Sequence, residues 1–391
     1  MGVRDQMQAF AFEPCELPAG ADTLRTEVRA FLDAEAADIL VPARARSWVG
    51  FDGEFSRKLG ARGWLGMTWP APWGAECSAL ERYVVIEELL AAGAPVAAHW
   101  IAERQSGPLL LRFGTDEQRE MLLPGIAAGE TYFCIGMSEP DSGSDLASIR
   151  SKAEPAEVGG EKGWVVNGRK VWTTYAQHSH YMIALLRTGE AGENRHGGTT
   201  QFVIDLASPG VTVQPIRNMI GDEEFNEVTF DDVFVPAGML VGEAGNGWRQ
   251  VTAELSFERS GPDRFLSAFA LLKALVHVAG DNPSDMAAAA IGRLHAHLTT
   301  LRAMSLSVAA QLDAGAEPAL EAAFVKDLGV VFEQSIPEIA HQVIGAPPRI
   351  DHGDDFEQAL AYVQQACVSF SLRGGTTEIM RGVIARGLGL R

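Results

Sequence analysis

The chain has 391 residues, 47% hydrophobic and 21% charged, enough to bury more than one core and unlike the polar bias of disordered sequences. Acidic residues outnumber basic ones 51 to 32, for a formal charge of −19, which leaves no broad basic face and argues against nucleic-acid binding. An anionic substrate would need a local positive patch.

Met1-Gly2-Val3-Arg4-Asp5-Gln6 leads into no apolar run suited to a signal segment, and no stretch reaches membrane-spanning length, so a cytoplasmic protein without membrane insertion is expected. From about Asp22 to Gly129 apolar residues recur at three and four spacing, as in Leu24 to Leu32 and Glu81 to Ala92, which predicts helices. Gly63-Trp64-Leu65-Gly66 and Trp69-Pro70-Ala71-Pro72-Trp73-Gly74 predict loops between them, and Leu123-Pro124-Gly125 predicts an interruption of the last one. Between about Thr131 and Glu243 the pattern changes to short β-branched and aromatic runs, such as Gly163 to Val166, Tyr181 to Leu185 and Glu227 to Phe230. Asn167-Gly168, Gly197-Gly198 and Pro209-Gly210 read as turns separating these runs, giving a small antiparallel β domain. After Gly245-Asn246-Gly247 alanine-rich helical segments follow, around Leu266 to Val278, Met286 to Leu312 and Pro318 to Ile344. The reading is α+β in three parts: an N-terminal helical domain over 1–130, a middle antiparallel β domain over 131–244, and a C-terminal helical bundle over 245–391.

Cys15, Cys77, Cys134 and Cys367 are scattered, without the paired spacing of a zinc site or a redox dithiol, so free thiols and no metal are expected. Four segments carry chemistry. Gly136 to Asp145 is a loop of small polar residues whose backbone N–H groups and hydroxyls can hold a phosphate or a flavin edge, although the same composition also makes plain turns. Asn167 to Thr174 reads as a hairpin turn feeding a strand, on which Trp172 could pack against a flavin and a threonine hydroxyl bond its redox-active nitrogen, or Trp172 could fill a core. The others are Leu255-Ser256-Phe257-Glu258-Arg259-Ser260-Gly261-Pro262 and Arg373-Gly374-Gly375-Thr376-Thr377-Glu378-Ile379-Met380-Arg381.

In order and spacing these four segments, with the Gly60 to Gly66 stretch, make the whole chain resemble the acyl-CoA dehydrogenase family. The resemblance implies a helical domain, a β domain and a C-terminal four-helix bundle, with FAD as cofactor. It makes Ile135, Met137, Ser138, Gly143, Ser144, Trp172 and Thr174 candidate flavin contacts, and Ser144 and Arg259 candidate substrate contacts. The implied reaction is α,β-dehydrogenation of an acyl-CoA to the trans-2-enoyl-CoA. A proton α to a thioester is weakly acidic, so a base must sit beside it while donors stabilise charge on the carbonyl oxygen, and hydride leaves the β carbon for flavin N5. Many members carry the base just before the Gly-Thr pair of the last motif, where this chain has Gly374. A smaller set places it before an arginine at the start of the bundle, which Glu258 before Arg259 matches. Glu258 is therefore the candidate base and the Gly374 N–H a candidate donor to the thioester oxygen, against the alternative that Glu258 merely favours a helix start. Glu378 reads as structural.

Two departures bear on assembly. Where symmetric members carry an Arg-x-x-Phe-Gly segment this chain has Val278-Ala279-Gly280-Asp281-Asn282-Pro283-Ser284, and a Gln-x-x-Gly-Gly-x-Gly loop survives only as Gln342-Val343-Ile344-Gly345-Ala346-Pro347-Pro348. A heterotetramer with a related subunit is one expectation and a homo-oligomer the other. An electron-transferring flavoprotein is the acceptor implied by the resemblance. A non-catalytic partner subunit and an oxygen-using flavoprotein of the same fold, an oxidase or monooxygenase, stay open.

Overall fold

The computed structural model describes residues 10–190, 192, 194–257 and 261–390. Its helices are α1 (Ala21–Glu35), α2 (Val41–Arg44), α3 (Gly53–Ala61), α4 (Ala79–Ala92), α5 (Ala97–Ile101), α6 (Gly107–Phe113) and α7 (Asp116–Ala127), followed after the strands by α8 (Gly247–Phe257), α9 (Phe269–Ala279), α10 (Asp285–Asp313), α11 (Ala319–Ile344), α12 (Asp355–Ala366) and α13 (Thr377–Gly387). A π-helical turn, Ala102–Ser106, joins α5 to α6. The strands are β1 (Phe133–Gly136), β2 (Lys152–Val158), β3 (Glu161–Thr174), β4 (Tyr181–Arg187), β5 (Thr199–Asp205), β6 (Val211–Ile216) and β7 (Phe225–Pro236). Among the described residues no helix is long and apolar enough to cross a membrane. The chain forms two compact units, one helical (residues 10–52, 77–97 and 261–390) and one strand-bearing (residues 53–76 and 98–257).

In the strand-bearing unit the sheet order is β1-β4-β2-β3-β7-β6, with β5 paired to β4. Most pairs are antiparallel, but β1 runs parallel to β4, and β2 meets β4 in parallel at Lys152 and Arg187. Alternation along β4 explains its unbroken apolar sequence. Met182, Ala184 and Leu186 enter one core with Cys134, Val166, Phe202, Val228 and Phe230. Ile183 faces the other way, with Phe133 and Val203, onto Leu109, Leu110, Leu122, Leu123 and Ile126 of α6 and α7. Because both faces are covered, no polar alternation marks this strand.

Two local expectations are corrected. Asn167-Gly168 is not a hairpin turn: the reversal between β2 and β3 falls at Gly159-Gly160, both at positive φ (+61° and +87°), the two-residue geometry whose twist matches paired strands. Asn167-Gly168 lies inside β3 opposite a bulge of β7 at Asp231-Asp232, where Asn167 and Asp232 bond each other across the strands (2.8 and 3.0 Å) and Gly168 closes on Ser151. Nor does Leu123-Pro124-Gly125 end a helix, because α7 runs through Pro124 to Ala127. Proline there removes one ladder bond, to the carbonyl of the exposed Glu120, which water can satisfy at little cost.

In the helical unit α11 packs against α9, α10, α12 and α13 and is buried along much of its length. Lys326 and Glu333 lie seven residues apart on α11, hence on one face, and both are buried. Arg25 and Arg29 of α1 bond Glu88 of α4 (2.9 and 2.7 Å), while Arg302 of α10 bonds Glu87 (2.5 Å), tying three helices together.

Trp69, fully buried, packs against the start of α6, where a methyl group on Gly107 would lie 2.2 Å from its ring. Gly107 has ordinary helical angles (φ −60°, ψ −54°), so helix propensity alone favours alanine there. Gly107→Ala is therefore expected to destabilise the protein by about 1–3 kcal/mol through overpacking. A denaturant titration checks this, and a neutral or stabilising result would show that the Trp69 contact yields freely.

Candidate active site

Each unit carries its own set of candidate residues. In the strand-bearing unit β1 delivers the chain into the 137–145 loop, with Ile135 turned toward the α6–α7 side of the sheet. Met137 packs against Ile149, Leu185 and Val251, the last on α8. The loop is closed by reciprocal backbone bonds between Glu139 and Ser142 (2.8 and 3.0 Å), and Gly143 and Ser144, which follow this turn, are exposed. The Val171 N–H donates to the Ser138 carbonyl (2.9 Å), so the loop lies directly on β3 beside Trp172 and Thr174. The loop that carries Met137, Ser138, Gly143 and Ser144 thus lies against the strand that carries Trp172 and Thr174.

A buried ion pair locks that arrangement. Lys170 Nζ donates to Glu139 Oε1 (2.8 Å) and to the Met137 carbonyl (3.1 Å), with Lys170 0% and Glu139 8% exposed. The other Glu139 contacts are the N–H groups of Arg150 (2.7 Å) and Ser151 (2.9 Å). Burial pulls the Lys170 ammonium down to about 8, against the pull of Glu139. Burial also pushes on the Glu139 carboxyl, upward, but Lys170 and the two N–H donors outweigh it and hold the carboxyl below its ordinary range. Both groups are therefore charged at neutral pH. Neither was singled out from the sequence, although Lys170 sits four residues after Val166 in a strand, a parity that places a lysine on the buried face.

Just past Lys170 the pairing of β3 with β7 shifts register, and Trp172 takes a left-handed conformation (φ +60°) that costs energy for a bulky residue. Trp172 is 59% exposed, and its ring rests edge-on against Phe225, with centroids 6.0 Å apart. A large aromatic surface held outward by a strained bulge, with the Thr174 hydroxyl and the polar 137–145 loop beside it, fits a planar ring system with hydrogen-bonding edges such as a flavin.

In the helical unit Gly374 and Gly375 both have positive φ (+65° and +101°), accessible to glycine with little strain. Their loop is held from beneath by α11: Lys326 Nζ donates to the carbonyls of Ser371 (3.2 Å) and Gly375 (2.5 Å). Arg373 bonds Glu333 (3.2 Å) and the Ser267 hydroxyl (3.1 Å), and the Ser267 N–H returns to Glu333 (2.6 Å). Its guanidinium also lies 4.0 Å from the Phe370 ring centroid and 4.9 Å from that of Trp48. Burial raises the Glu333 carboxyl above its usual range while Arg373 opposes it. A glutamate at 374 would have to adopt the left-handed conformation, with its Cβ 3.4 Å from the Arg264 guanidinium. The candidate base Glu258 and its neighbour Arg259 lie outside the described residues.

The Glu139–Lys170 pair gives a direct test. Glu139→Gln strands a buried ammonium and should cost about 3–5 kcal/mol at pH 7. Because the folded carboxyl lies below its unfolded value, its contribution is complete at pH 7 and is lost as pH falls through the folded value. The deficit in denaturant titrations should accordingly shrink in acid. An equal deficit at both pH values would assign the loss to shape rather than charge.

The sequence matches family models for the acyl-CoA dehydrogenase N-terminal domain over residues 19–130, the middle domain over 134–233 and the C-terminal domain over 245–389. The chain is similar to acyl-CoA dehydrogenase IpdE1 of Mycobacterium tuberculosis, 36% identical over 343 residues that cover 86% of this chain and 87% of the relative. It is 33% identical over 335 residues to acyl-CoA dehydrogenase FadE34 of the same organism, covering 84% of this chain but only 45% of that longer relative. Among solved structures it superposes on the Tcur3481-Tcur3483 steroid ACAD with a TM-score of 0.82 at 26% identity, covering 96% of this chain and 98% of the other. Three consecutive family domains, a relative aligned over most of both chains and the shared architecture lead to one conclusion: the chain belongs to the acyl-CoA dehydrogenase family, whose members are flavin-dependent oxidoreductases of lipid breakdown.

Proposed function

We propose that the chain dehydrogenates an acyl-CoA between its α and β carbons to the trans-2-enoyl-CoA, with Glu258 as the base. The observation that carries the cofactor part of this reading is the Val171 to Ser138 backbone bond, which brings the 137–145 loop and the Trp172–Thr174 strand into one surface. Ile135, Met137, Ser138, Gly143, Ser144, Trp172 and Thr174 would hold FAD, and bound FAD would supply the two-electron acceptor for the β-hydride. The Trp172 ring would cover a flavin face, while the Thr174 hydroxyl and loop N–H groups would bond its edges.

Gly374 supports the placement of the base elsewhere. A carboxylate at that position would be strained and would face a guanidinium, which lowers its pKa and weakens it as a base. Glu258 takes up the α-proton, and desolvation by the bound acyl chain raises its pKa toward a useful value. The Gly374 N–H donates to the thioester oxygen, and Ser144 and Arg259 contact the substrate. An electron-transferring flavoprotein is the acceptor in this reading, and the cytoplasm its location.

The altered Val278 to Ser284 and Gln342 to Pro348 segments favour a heteromeric assembly, and the two-part name of the steroid ACAD suggests both a related partner subunit and a bulky, steroid-derived acyl group. Co-expression with candidate partners should then yield a stable heteromer with a higher FAD content than this chain alone. A fully FAD-loaded homo-oligomer would exclude the need for a partner.

For the reaction itself, the visible spectrum of the FAD-loaded protein should bleach when acyl-CoAs are added without oxygen. In Glu258→Gln the bleaching rate should fall by about 10²–10⁴-fold, the usual contribution of a positioned base, with FAD still bound. Unchanged bleaching in the variant would move the base to another residue, and a preparation that takes up no flavin alone or with a partner would overturn the reading.

A further inference from the structure

Arg264 stands where the side chain of residue 374 would otherwise be. A Cβ on Gly374 would lie 3.4 Å from the guanidinium carbon and one terminal nitrogen of Arg264, and 3.5 Å from the other. The guanidinium is kept there by its surroundings. Arg264 is 3% exposed, its Nε bonds Asp263 (3.2 Å), and its guanidinium carbon lies 5.7 Å from the Trp48 ring centroid. α11 closes on its backbone at Gly329, where a methyl group would lie 2.3 Å from the Arg264 carbonyl oxygen. Asp263 takes the Nε side, and the nearly equal distances to the guanidinium carbon and both terminal nitrogens place the Gly374 Cβ position over the face of the guanidinium. A residue held by these three neighbours keeps its charge at one place with little rearrangement, the condition under which a charge stabilises a developing anion best.

We propose that Arg264 stabilises the negative charge that develops on the thioester carbonyl when the α-proton leaves, acting beside the Gly374 N–H. The inference rests on the assignment of α-proton abstraction to this site. As the Cα–H bond breaks, its proton passes to the Glu258 carboxylate and its electron pair spreads onto the carbonyl oxygen. A cation at that point lowers the energy of the enolate more than that of the neutral thioester.

The step can be isolated with 3,3-dimethylbutanoyl-CoA, which has two α hydrogens and no β hydrogen and so exchanges without being oxidised. In D₂O the FAD-loaded protein, with any partner it needs, should incorporate deuterium at the α carbon, read by mass spectrometry. Arg264→Gln should slow incorporation by about 10²–10³-fold, the effect of removing one oxyanion donor, with the analogue's Kd little changed. Arg264→Lys keeps a positive charge at the site and should fall between the two. Exchange at the normal rate in Arg264→Gln would overturn the proposal, as would equal slowing in Gln and Lys variants, which would make Arg264 a packing residue. No exchange in the unaltered protein would instead overturn proton abstraction at this site, and with it the reading on which Arg264 depends.

Discussion

Lys170 carries a charge into the interior of the strand-bearing unit, and the geometry of the candidate flavin surface follows from that charge needing partners. Its Nζ reaches the Glu139 carboxylate and the Met137 carbonyl at once, so the loop after β1 is held against β3. The backbone bond from Val171 to Ser138 then falls into place, and the next residue, Trp172, is turned outward by a bulge and a left-handed φ. A hydrophobic pair of similar volume would satisfy the core as well, since buried ion pairs gain little net stability once desolvation is counted. An ion pair of fixed geometry does something a packed pair does not. It fixes the loop at one height above the strand.

The helical unit solves a related problem around Gly374. Its loop needs two glycines in left-handed conformations, and the freedom that makes this possible would also let the loop wander. Lys326 and Glu333, one face of α11, remove that freedom by bonding the loop carbonyls and Arg373. The charges nearly balance: Arg264 with Asp263, Arg373 with Glu333. In a chain with a large acidic excess, each of the two buried guanidinium groups beside the loop thus has its own carboxylate. The acidity of the chain as a whole says little about the field at this point, because the local pairs are close and poorly screened.

The same arrangement gives a physical reason for the missing carboxylate in the last motif. A base must be strong enough to take a weakly acidic proton, and a carboxylate held against a guanidinium is a weakened base. Glycine at 374 and arginine at 264 are mutually consistent, and in the reaction proposed above the base is Glu258 instead.

The sequence alone determined the class of fold and the family, because both rest on local signals: three and four spacing in the helices, β-branched runs between Thr131 and Glu243, and short motifs that keep their order. It misled where a local signal had more than one structural use. Asn167-Gly168 has turn chemistry, yet the long ladder between β3 and β7 took it in opposite a bulge of β7, and Gly159-Gly160 made the reversal instead. Pro124 breaks one ladder bond, which a last turn open to water tolerates. What only the tertiary structure decided is which charges meet. Lys170 and Glu139 are 31 residues apart, Arg373 and Glu333 40, and Arg264 and Gly374 110, and no periodicity links such positions. Their pairing depends on where strands and helices cross, and interior charges take the partners that the packing brings within reach.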